Sequence, residues 1–137
     1  MRMLALLLAL GTTLAMADQM PAPTGAAVYI IAPKDGAHVK SPFAVVFGLK
    51  NAGIAPAGIK FDNTGHHHLL VDADLPADLT QPLPVNEHIR HFGKGQTETM
   101  LELPPGTHTL QLLFADLAHV PFTPNVASKK ITITVMP

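Results

Sequence analysis

The sequence predicts an all-β fold, an antiparallel β-sandwich of about seven strands in one domain. Short runs of β-branched, aromatic or alternating apolar residues recur about every 8–12 residues. Prolines and glycines, 13 and 10 in number, separate these runs. No segment after residue 17 shows a sustained helical period flanked by caps, so the pattern favours strands throughout the domain.

The first two predicted strands indicate the type of sandwich. Val28–Ile31 is a compact β-prone run that ends at Pro33–Gly36, a turn in which the glycine supplies a positive φ. Phe43–Lys50 then alternates between apolar and other residues. Its apolar face consists of Phe43, Val45, Phe47 and Leu49. A strand, a Pro-x-Asp-Gly turn and a second alternating strand are typical of the start of bacterial immunoglobulin-like domains, so we expect an immunoglobulin-like sandwich.

The middle of the chain is predicted to place one strand between irregular connections. Residues 51–64 hold two glycines and a proline, which argues against one long regular element. His66–Asp72 is predicted to be a strand of mixed character. Residues 74–86 contain three prolines and are expected to form an irregular loop, and residues 91–96 are turn-like.

The last third of the chain is predicted to contain a hairpin and a closing strand. Thr97–Leu103 alternates, Pro104–Gly106 reverses the chain, and Thr107–Phe114 is expected to be the hairpin partner. Residues 115–128 hold two prolines and are predicted to be a loop. Lys129–Met136 alternates again, with Ile131, Ile133 and Val135 on one face, as in a half-buried final strand.

The first 17 residues have the pattern of a secretory signal peptide. Met1–Met3 carries a positive charge, Leu4–Leu10 is an unbroken apolar run, and Ala15–Ala17 offers small residues at both cleavage-determining positions. The apolar run is shorter than the roughly 20 residues of a membrane-spanning helix, and no later segment qualifies. We therefore predict a signal peptide at 1–17, a linker at 18–27, a β-sandwich domain at 28–137, and a periplasmic protein without a membrane span.

Composition excludes several functional classes. The chain has no cysteine, which removes disulfides, thiolate metal sites and cysteine nucleophiles. Nine Lys and Arg against ten Asp and Glu give a net charge of −1, so no basic patch suggests a nucleic acid partner. The two serines lie outside any nucleophile motif, and no pair of carboxylates has a spacing that indicates catalysis.

Histidine is the chemically unusual residue of this chain. Five of the eight histidines lie between residues 66 and 91. In a strand, His66 and His68 project from one face, about 6.6 Å apart along the chain, while His67 projects from the other. Imidazole is a preferred ligand of Zn(II) and Cu(II), which need three or four convergent donors.

The sequence therefore predicts a candidate metal site for Cu(II) or Zn(II). His88 and His91, beside a proline-rich loop and a glycine-rich turn, supply the third and fourth donors in this hypothesis, and the late loop completes the site if it folds over the same end. The candidate ligands are His66, His68, His88, His91, Asp116 and His119. Ligand histidines must be neutral, so the affinity is expected to fall as the pH drops below about 6.5.

A structural interpretation of the histidines competes with the metal hypothesis. Buried histidines often have both ring nitrogens bonded to carbonyls or carboxylates. The acidic residues near enough in sequence to serve are Asp62, Asp72, Asp74 and Glu87. His108 is in phase with core residues and is predicted to be structural, whereas His38 is predicted to be a solvated turn residue. Metal-assisted hydrolysis is a third interpretation, and no general base with suitable spacing supports it.

Long motifs give the chain a family resemblance. They are TGHHHLLVD from Thr64, HFGKGQTET from His91, LELPPGTHTLQLLFAD from Leu101 and KKITITV from Lys129. The chain resembles, from about residue 28 to residue 135, the bacterial family known as domain of unknown function 4399. This resemblance implies an exported, immunoglobulin-like β-sandwich module, and the family's name implies no established activity.

One loop departs from the pattern of that family. The resemblance implies a late loop of the form D-x-x-H-x-P-H, and here Asp116, His119 and Pro121 match while Phe122 replaces a histidine. We therefore predict a periplasmic, non-enzymatic binding or accessory module with a histidine-rich polar site. Its partner, an unknown protein or small ligand, is not identified by the sequence. The alternative is a structural or protein-interaction domain whose histidines are hydrogen-bonded scaffold residues.

Overall fold

The computed structural model describes residues 18–137, which form ten strands and no helix. The predicted signal peptide at 1–17 lies outside the described residues. The strands are β1 (Ala27–Ala32), β2 (His38–Lys40), β3 (Phe43–Lys50), β4 (Gly53–Ile54), β5 (Thr64–Val71), β6 (Ile89–His91), β7 (Glu98–Leu101), β8 (Gly106–Ala115), β9 (Pro121–Ala127) and β10 (Ile131–Met136). Within this part of the chain there is no helix long and apolar enough to span a membrane.

The strands form two sheets, which confirms the predicted β-sandwich. The smaller sheet has the order β1-β3-β7, and the larger has the order β2-β10-β8-β5-β4, with β6 paired to β5 and β9 paired to β8. Most pairs are antiparallel, while β2 runs parallel to β10 and β4 runs parallel to β5. The strand number exceeds the expected seven because β2, β4 and β6 have only two or three residues, too few to show an alternating pattern.

The main core lies between the two sheets. The predicted apolar face of β3 contributes Phe43, Val45 and Phe47, which are buried against residues of the larger sheet. Those residues are Leu69 and Val71 of β5, Leu110, Leu112 and Phe114 of β8, and Ile131, Ile133 and Val135 of β10. Each fully buried Leu or Phe contributes about 1.5–3 kcal/mol, so this layer is the principal source of stability in a chain without disulfides.

The larger sheet is also covered on its second face. Leu70 of β5 alternates with Leu69 and Val71, and it packs in a separate cluster with Leu113, Ala115, Ile89 and Leu83. Leu83 comes from the predicted proline-rich loop, which therefore folds over the outer face of the sheet. Because both faces are covered, β5 is buried from Gly65 to Val71 without alternation.

One predicted strand pairing and one predicted loop are wrong. Residues 97–103 and 107–114 are not hairpin partners, because β7 pairs with β3 in the smaller sheet while β8 pairs with β5, β9 and β10 in the larger. The turn at Pro104–Gly106 thus carries the chain from one sheet to the other. The predicted loop at 115–128 contains β9, a seven-residue strand at the edge of the larger sheet that pairs with no named strand except β8 and so tolerates its prolines.

The residues before β1 are held against the domain. Thr123 of β9 donates its N–H to the carbonyl of Met20 at 3.0 Å, and its own carbonyl accepts the N–H of Ala22 at 3.0 Å. The side-chain amide of Gln19 donates to the carbonyls of Leu79, at 2.7 Å, and Pro121, at 3.1 Å. The predicted linker therefore acts as a strap over β9 and the proline-rich loop.

Candidate metal centre

Strand β5 brings two histidines to the outer face of the larger sheet. His66 lies opposite Ala115 of β8, and His68 lies opposite Leu113 of β8 and His91 of β6. Both side chains are completely buried. Their common face follows from the two-residue period of the strand, as the sequence predicts.

His91 is the third histidine, and its position depends on the cross-strand register. Opposite residues of an antiparallel pair share a face, so His91 projects to the same side as His68, and the two rings stack with centroids 5.0 Å apart. Gly93 gives the ring its space. A Cβ atom at Gly93 would overlap Cε1 and Nε2 of His91, so only glycine fits there without moving the ring.

His119 comes from a tight turn before β9. Its backbone has a left-handed conformation, with φ of 66°, which is uncommon for a residue other than glycine. The Asp116 carboxylate holds this turn, because its Oδ1 accepts the N–H groups of Ala118 at 2.8 Å and Val120 at 3.0 Å. The carbonyl of His119 also accepts the N–H of Leu83 at 2.8 Å. A strained conformation kept by several bonds is typical of a functional position.

These four histidines, which we call the imidazole cluster, converge on one point. One candidate ligand nitrogen from each of His66, His68, His91 and His119 lies within 4.8 Å of all the others. Nε2 of His66 lies 3.0 Å from Nδ1 of His119 and 3.0 Å from Nε2 of His91. Four nitrogens bound tetrahedrally to zinc at about 2.0–2.1 Å are separated by about 3.3 Å, so the cluster is close to that size.

The hydrogen bonding of the cluster is incomplete. Nδ1 of His66 and both ring nitrogens of His68 are buried without a hydrogen-bond partner in residues 18–137. A buried polar group without a partner costs about 1–3 kcal/mol. Nε2 of His66 carries at most one proton, so it cannot donate fully to both His91 and His119. A metal ion accepts lone pairs from imidazole nitrogens, and these residues therefore fit such an ion.

Burial lowers the pKa of three histidines of the cluster. Burial, reinforced by His91 and His119, lowers the pKa of His66 to about 4. Burial, followed by the influence of His66, His91 and His119, lowers the pKa of His68 to about 2. The pKa of His91 is lowered by burial and by His119. Protons therefore compete with a metal at these rings only at a lower pH than the 6.5 expected from an ordinary histidine.

His67 lies on the opposite face of β5 and belongs to the main core. Its ring is completely buried between Phe47 and Phe114, with centroid distances of 5.1 Å and 5.4 Å. Burial lowers its pKa to about 4. Neither ring nitrogen has a partner among the described residues. It is therefore neutral at pH 7 and directed away from the cluster.

Two predicted ligands lie outside the cluster. His88 is exposed, its Nδ1 donates to the carbonyl of Val71 at 2.9 Å, and its Nε2 lies 3.5 Å from Glu87. The Asp116 carboxylate is turned to backbone N–H groups of its own loop, so it positions His119. The structure thus brings together His66, His68, His91 and His119 from the predicted set and separates His88 and Asp116 from them.

Two further histidines, and Phe122 at the position where the family pattern has a histidine, lie outside the cluster. His108 bonds through Nδ1 to Asp72 at 2.7 Å and through Nε2 to the carbonyl of Pro104 at 2.8 Å, as a structural histidine does. His38 is exposed, with Nδ1 3.4 Å from the sulfur of Met136. Phe122 stacks on Phe114 in the main core, so the cluster forms without a donor at that position.

Comparison with known proteins gives a family match and one structural likeness. The family model described as Domain of unknown function (DUF4399) matches residues 45–136, a range that includes the whole imidazole cluster. Among solved structures, the X-ray structure of the endo-beta-1,4-mannanase from Thermotoga petrophila is similar, with 19% sequence identity and a TM-score of 0.47. The likeness covers 80% of this chain and 19% of that chain. No curated protein matches the chain.

Proposed function

The chain belongs to the DUF4399 family, and we propose that this member binds one transition-metal ion, Cu(II) or Zn(II), in the imidazole cluster. The observation that carries this proposal is the convergence of four histidines, each with one ring nitrogen within 4.8 Å of the other three. In addition, Nδ1 of His66 and both ring nitrogens of His68 are buried without hydrogen-bond partners. A bound ion coordinates one nitrogen of each ring, so it supplies a partner for one of the two orphaned nitrogens of His68.

The chemistry of the donors supports these two metals. Four neutral imidazoles suit zinc and copper, while magnesium and calcium prefer oxygen donors. The lowered pKa values of His66, His68 and His91 keep these rings neutral at pH 7, so that each has one unprotonated nitrogen able to bind a metal. The ligands are carried by β5, β6 and a turn held by Asp116, so little reorganisation is required on binding.

The number of protein donors supports a binding module over an enzyme. Catalytic zinc sites commonly have three protein ligands and keep one position for water or substrate, whereas closed sites have four. The imidazole cluster supplies four donors. We therefore propose a protein that holds or carries a metal ion, and the alternative of metal-assisted hydrolysis lacks the open position that it requires.

Direct metal titration tests the proposal. Tag-free protein with residues 18–137 is expected to bind about one Zn(II) or Cu(II) per chain in calorimetry or equilibrium dialysis. His119→Ala removes a partly exposed donor and should weaken binding at least tenfold. His88→Ala is the matched control, because it removes a nearby histidine outside the cluster. Substoichiometric binding, or equal affinities for the protein and its His119→Ala variant, would refute the proposal.

The predicted location is part of the same proposal. The signal-peptide pattern at 1–17 supports export to the periplasm, where a metal-binding module without cysteines meets oxidising conditions. Fractionation of cells that produce the full chain checks this. The expected result is a mature protein in the periplasmic fraction that begins at Asp18, and an uncleaved cytoplasmic product would contradict it.

A structural function is the second candidate, and one observation favours it. His66 contacts both His91 and His119 through Nε2, so the cluster already joins β5, β6 and the turn before β9. If this joining is the whole function, a chelator leaves the melting temperature unchanged and His68→Ala alters stability without altering metal binding. If the cluster binds metal, the chelator lowers the melting temperature of metal-loaded protein.

A further inference from the structure

The four donors of the imidazole cluster carry no negative charge. Each ligand is a neutral imidazole, and the grouped residues contain no carboxylate. The acidic side chain nearest in sequence to a ligand, Asp116, has Oδ1 directed to the N–H groups of Ala118 and Val120. The full charge of a bound ion therefore stays uncompensated by its ligands.

The residues that flank His66 and His68 on the neighbouring strand are apolar. His66 and His68 are completely buried, and their cross-strand neighbours on β8 are Ala115 and Leu113. Those two residues belong to the apolar cluster on the outer face of the sheet, with Leu70, Leu83 and Ile89. The other two donors, His91 and His119, are partly buried. An ion in this position is largely removed from solvent.

Burial penalises a doubly charged ion more than a singly charged one. The solvation energy lost on transfer to a medium of low dielectric constant grows with the square of the charge. Negative ligands would offset that loss, and this cluster has none. In metal sites generally, the dielectric surroundings and the charge of the ligands set the reduction potential.

We infer that the imidazole cluster holds copper preferentially as Cu(I), so that bound copper has a higher reduction potential than copper in a tetra-imidazole complex in water. The inference deepens the proposed metal binding and rests on it. The reaction concerned is Cu(II) plus one electron giving Cu(I), and no bond to a substrate forms or breaks. The protein is thus suited to hold copper reduced, and zinc binding does not test this property.

Redox titration of copper-loaded protein tests the inference. Tag-free protein is titrated anaerobically with small-molecule redox mediators and ascorbate as the reductant, and the Cu(II) absorption is followed. The preference for Cu(I) is expected to exceed that of copper tetra-imidazole in the same cell at least tenfold, which is about 59 mV for one electron. Affinities for Cu(I) and Cu(II), measured with competing chelators, must give the same ratio.

Two variants separate the charge of the ligands from other effects. His119→Asp supplies a negative ligand from the same turn and should lower the potential, because the carboxylate stabilises Cu(II) more than Cu(I). His88→Asp introduces the same charge at a histidine outside the cluster and should leave the potential nearly unchanged. Equal effects of the two substitutions would overturn the inference.

The outcomes for the two proposals are distinguishable. Copper that binds stoichiometrically, with a potential at or below that of the tetra-imidazole complex, overturns the inference and leaves the proposed metal binding intact. A protein that binds neither copper nor zinc overturns both. If His119→Asp fails to fold, the potential of the unaltered protein and the ratio of its two copper affinities still decide the question.

Discussion

The two ends of strand β5 place histidines in opposite chemical settings. At its start, His66 and His68 are buried, lack partners for three ring nitrogens and have lowered pKa values. At its end, Asp72 pairs with His108 of β8, whose two ring nitrogens are both bonded. Burial lowers the pKa of His108, but the Asp72 carboxylate and the Pro104 carbonyl outweigh it and raise that pKa overall.

This difference shows that burial alone does not decide what a histidine does. His108 is only 9% exposed, so it is nearly as buried as His66 at 0%. The distinguishing feature is the partner, because a carboxylate fixes a protonated ring in place and leaves no nitrogen for a ligand. The His108–Asp72 pair is therefore structural, and the imidazole cluster has lone pairs that are free to bind a metal.

The largest expected difference between the two regions is their response to acid. The folded-state pKa values of His66, His67 and His68, about 4, 4 and 2, lie below the ordinary value of 6.5. The unfolded chain therefore takes up protons first, and stability that is complete above pH 6.5 is lost as the pH falls towards 4. Each ring lowers the free energy of unfolding by up to about 1.4 kcal/mol per pH unit, and the three rings together by up to about 4 kcal/mol per pH unit. Urea unfolding of metal-free protein at pH 7, 6 and 5 measures this loss.

A core variant provides the control for the acid response. His67→Leu removes one buried imidazole from the main core, on the face of β5 opposite the cluster, and it should reduce the slope by about a third. It should also stabilise the protein at pH 5, because two buried nitrogens without partners are removed. A free energy of unfolding that stays constant from pH 7 to pH 5 would contradict the neutral, buried state of these rings.

The second prediction concerns the His108–Asp72 pair. His108→Ala should cost about 1–2 kcal/mol of stability, because it removes a charge-assisted hydrogen bond whose carboxylate is partly solvated. Asp72 has a lowered pKa, since the bonds from His108 and from the Thr109 N–H outweigh its burial, and His108 has a raised one. The pair therefore stabilises the fold fully between about pH 4 and 6.5.

Stability measured at several pH values checks this prediction. The contribution of the pair should decline as the pH rises through the raised pKa of His108, and also as it falls through the lowered pKa of Asp72. Metal affinity should be unchanged in His108→Ala. His119→Ala should show the reverse, with weaker metal binding and little dependence of stability on Asp72. If His108→Ala weakened metal binding as strongly as His119→Ala, the two regions would not be independent.

The fold could be predicted from alternation, but the strand partners could not. The alternating patterns of β3 and β10 correctly give their buried faces. An alternating pattern contains no information about which strand lies alongside, so the adjacent segments at 97–103 and 107–114 were expected to pair. The structure assigns them to different sheets, since each matches a strand distant in sequence. The missed strand β9 carries two prolines and resembles a loop.

The candidate site could be predicted in part for a similar reason. The common face of His66 and His68 follows from the period of the strand, whereas the choice between His88 and His91 depends on register. His91 lies opposite His68, and His88 precedes β6 by one residue, where its ring bonds to the carbonyl of Val71. His119 lies 53 residues from His66, and only the folded turn held by Asp116 brings it close.

The third prediction concerns the glycine beneath the ring of His91. Gly93→Ala should lower metal affinity about 10–100-fold, because the new Cβ atom displaces Cε1 and Nε2 of His91 while all four donors remain in the sequence. The free energy of unfolding of the metal-free protein should change much less, since His91 is partly exposed. Calorimetric titration with zinc measures the affinity.

A double-variant cycle makes this prediction specific. In His91→Ala protein the ring is absent, so adding Gly93→Ala should produce no further loss of affinity. If Gly93→Ala weakens zinc binding equally with and without His91, the glycine acts through the backbone and not through the ring. An unchanged affinity in the single variant would show that the ring has room to move, contrary to the overlap found at this position.

The smallest expected effect lies in the strap before β1. Gln19 donates to the carbonyls of Leu79 and Pro121, and thus joins the proline-rich loop to the chain two residues after His119. The same loop donates from Leu83 N–H to the His119 carbonyl. Gln19→Ala should cost about 0.5–1.5 kcal/mol of stability and weaken metal binding a few-fold, because the turn carrying His119 loses one restraint.

Gln111→Ala is the matched control for Gln19→Ala. Gln111 makes a comparable bond, donating from Nε2 to the carbonyl of Ser128 at 2.9 Å, on strand β8 and apart from the imidazole cluster. The Gln111→Ala variant should lose about as much stability as Gln19→Ala. Its rate of metal dissociation, measured by transfer of the metal to a chelator, should be unchanged. Faster dissociation from Gln19→Ala alone would show that the strap restrains His119. Equal rates in both variants would mean that Asp116 holds the turn without help.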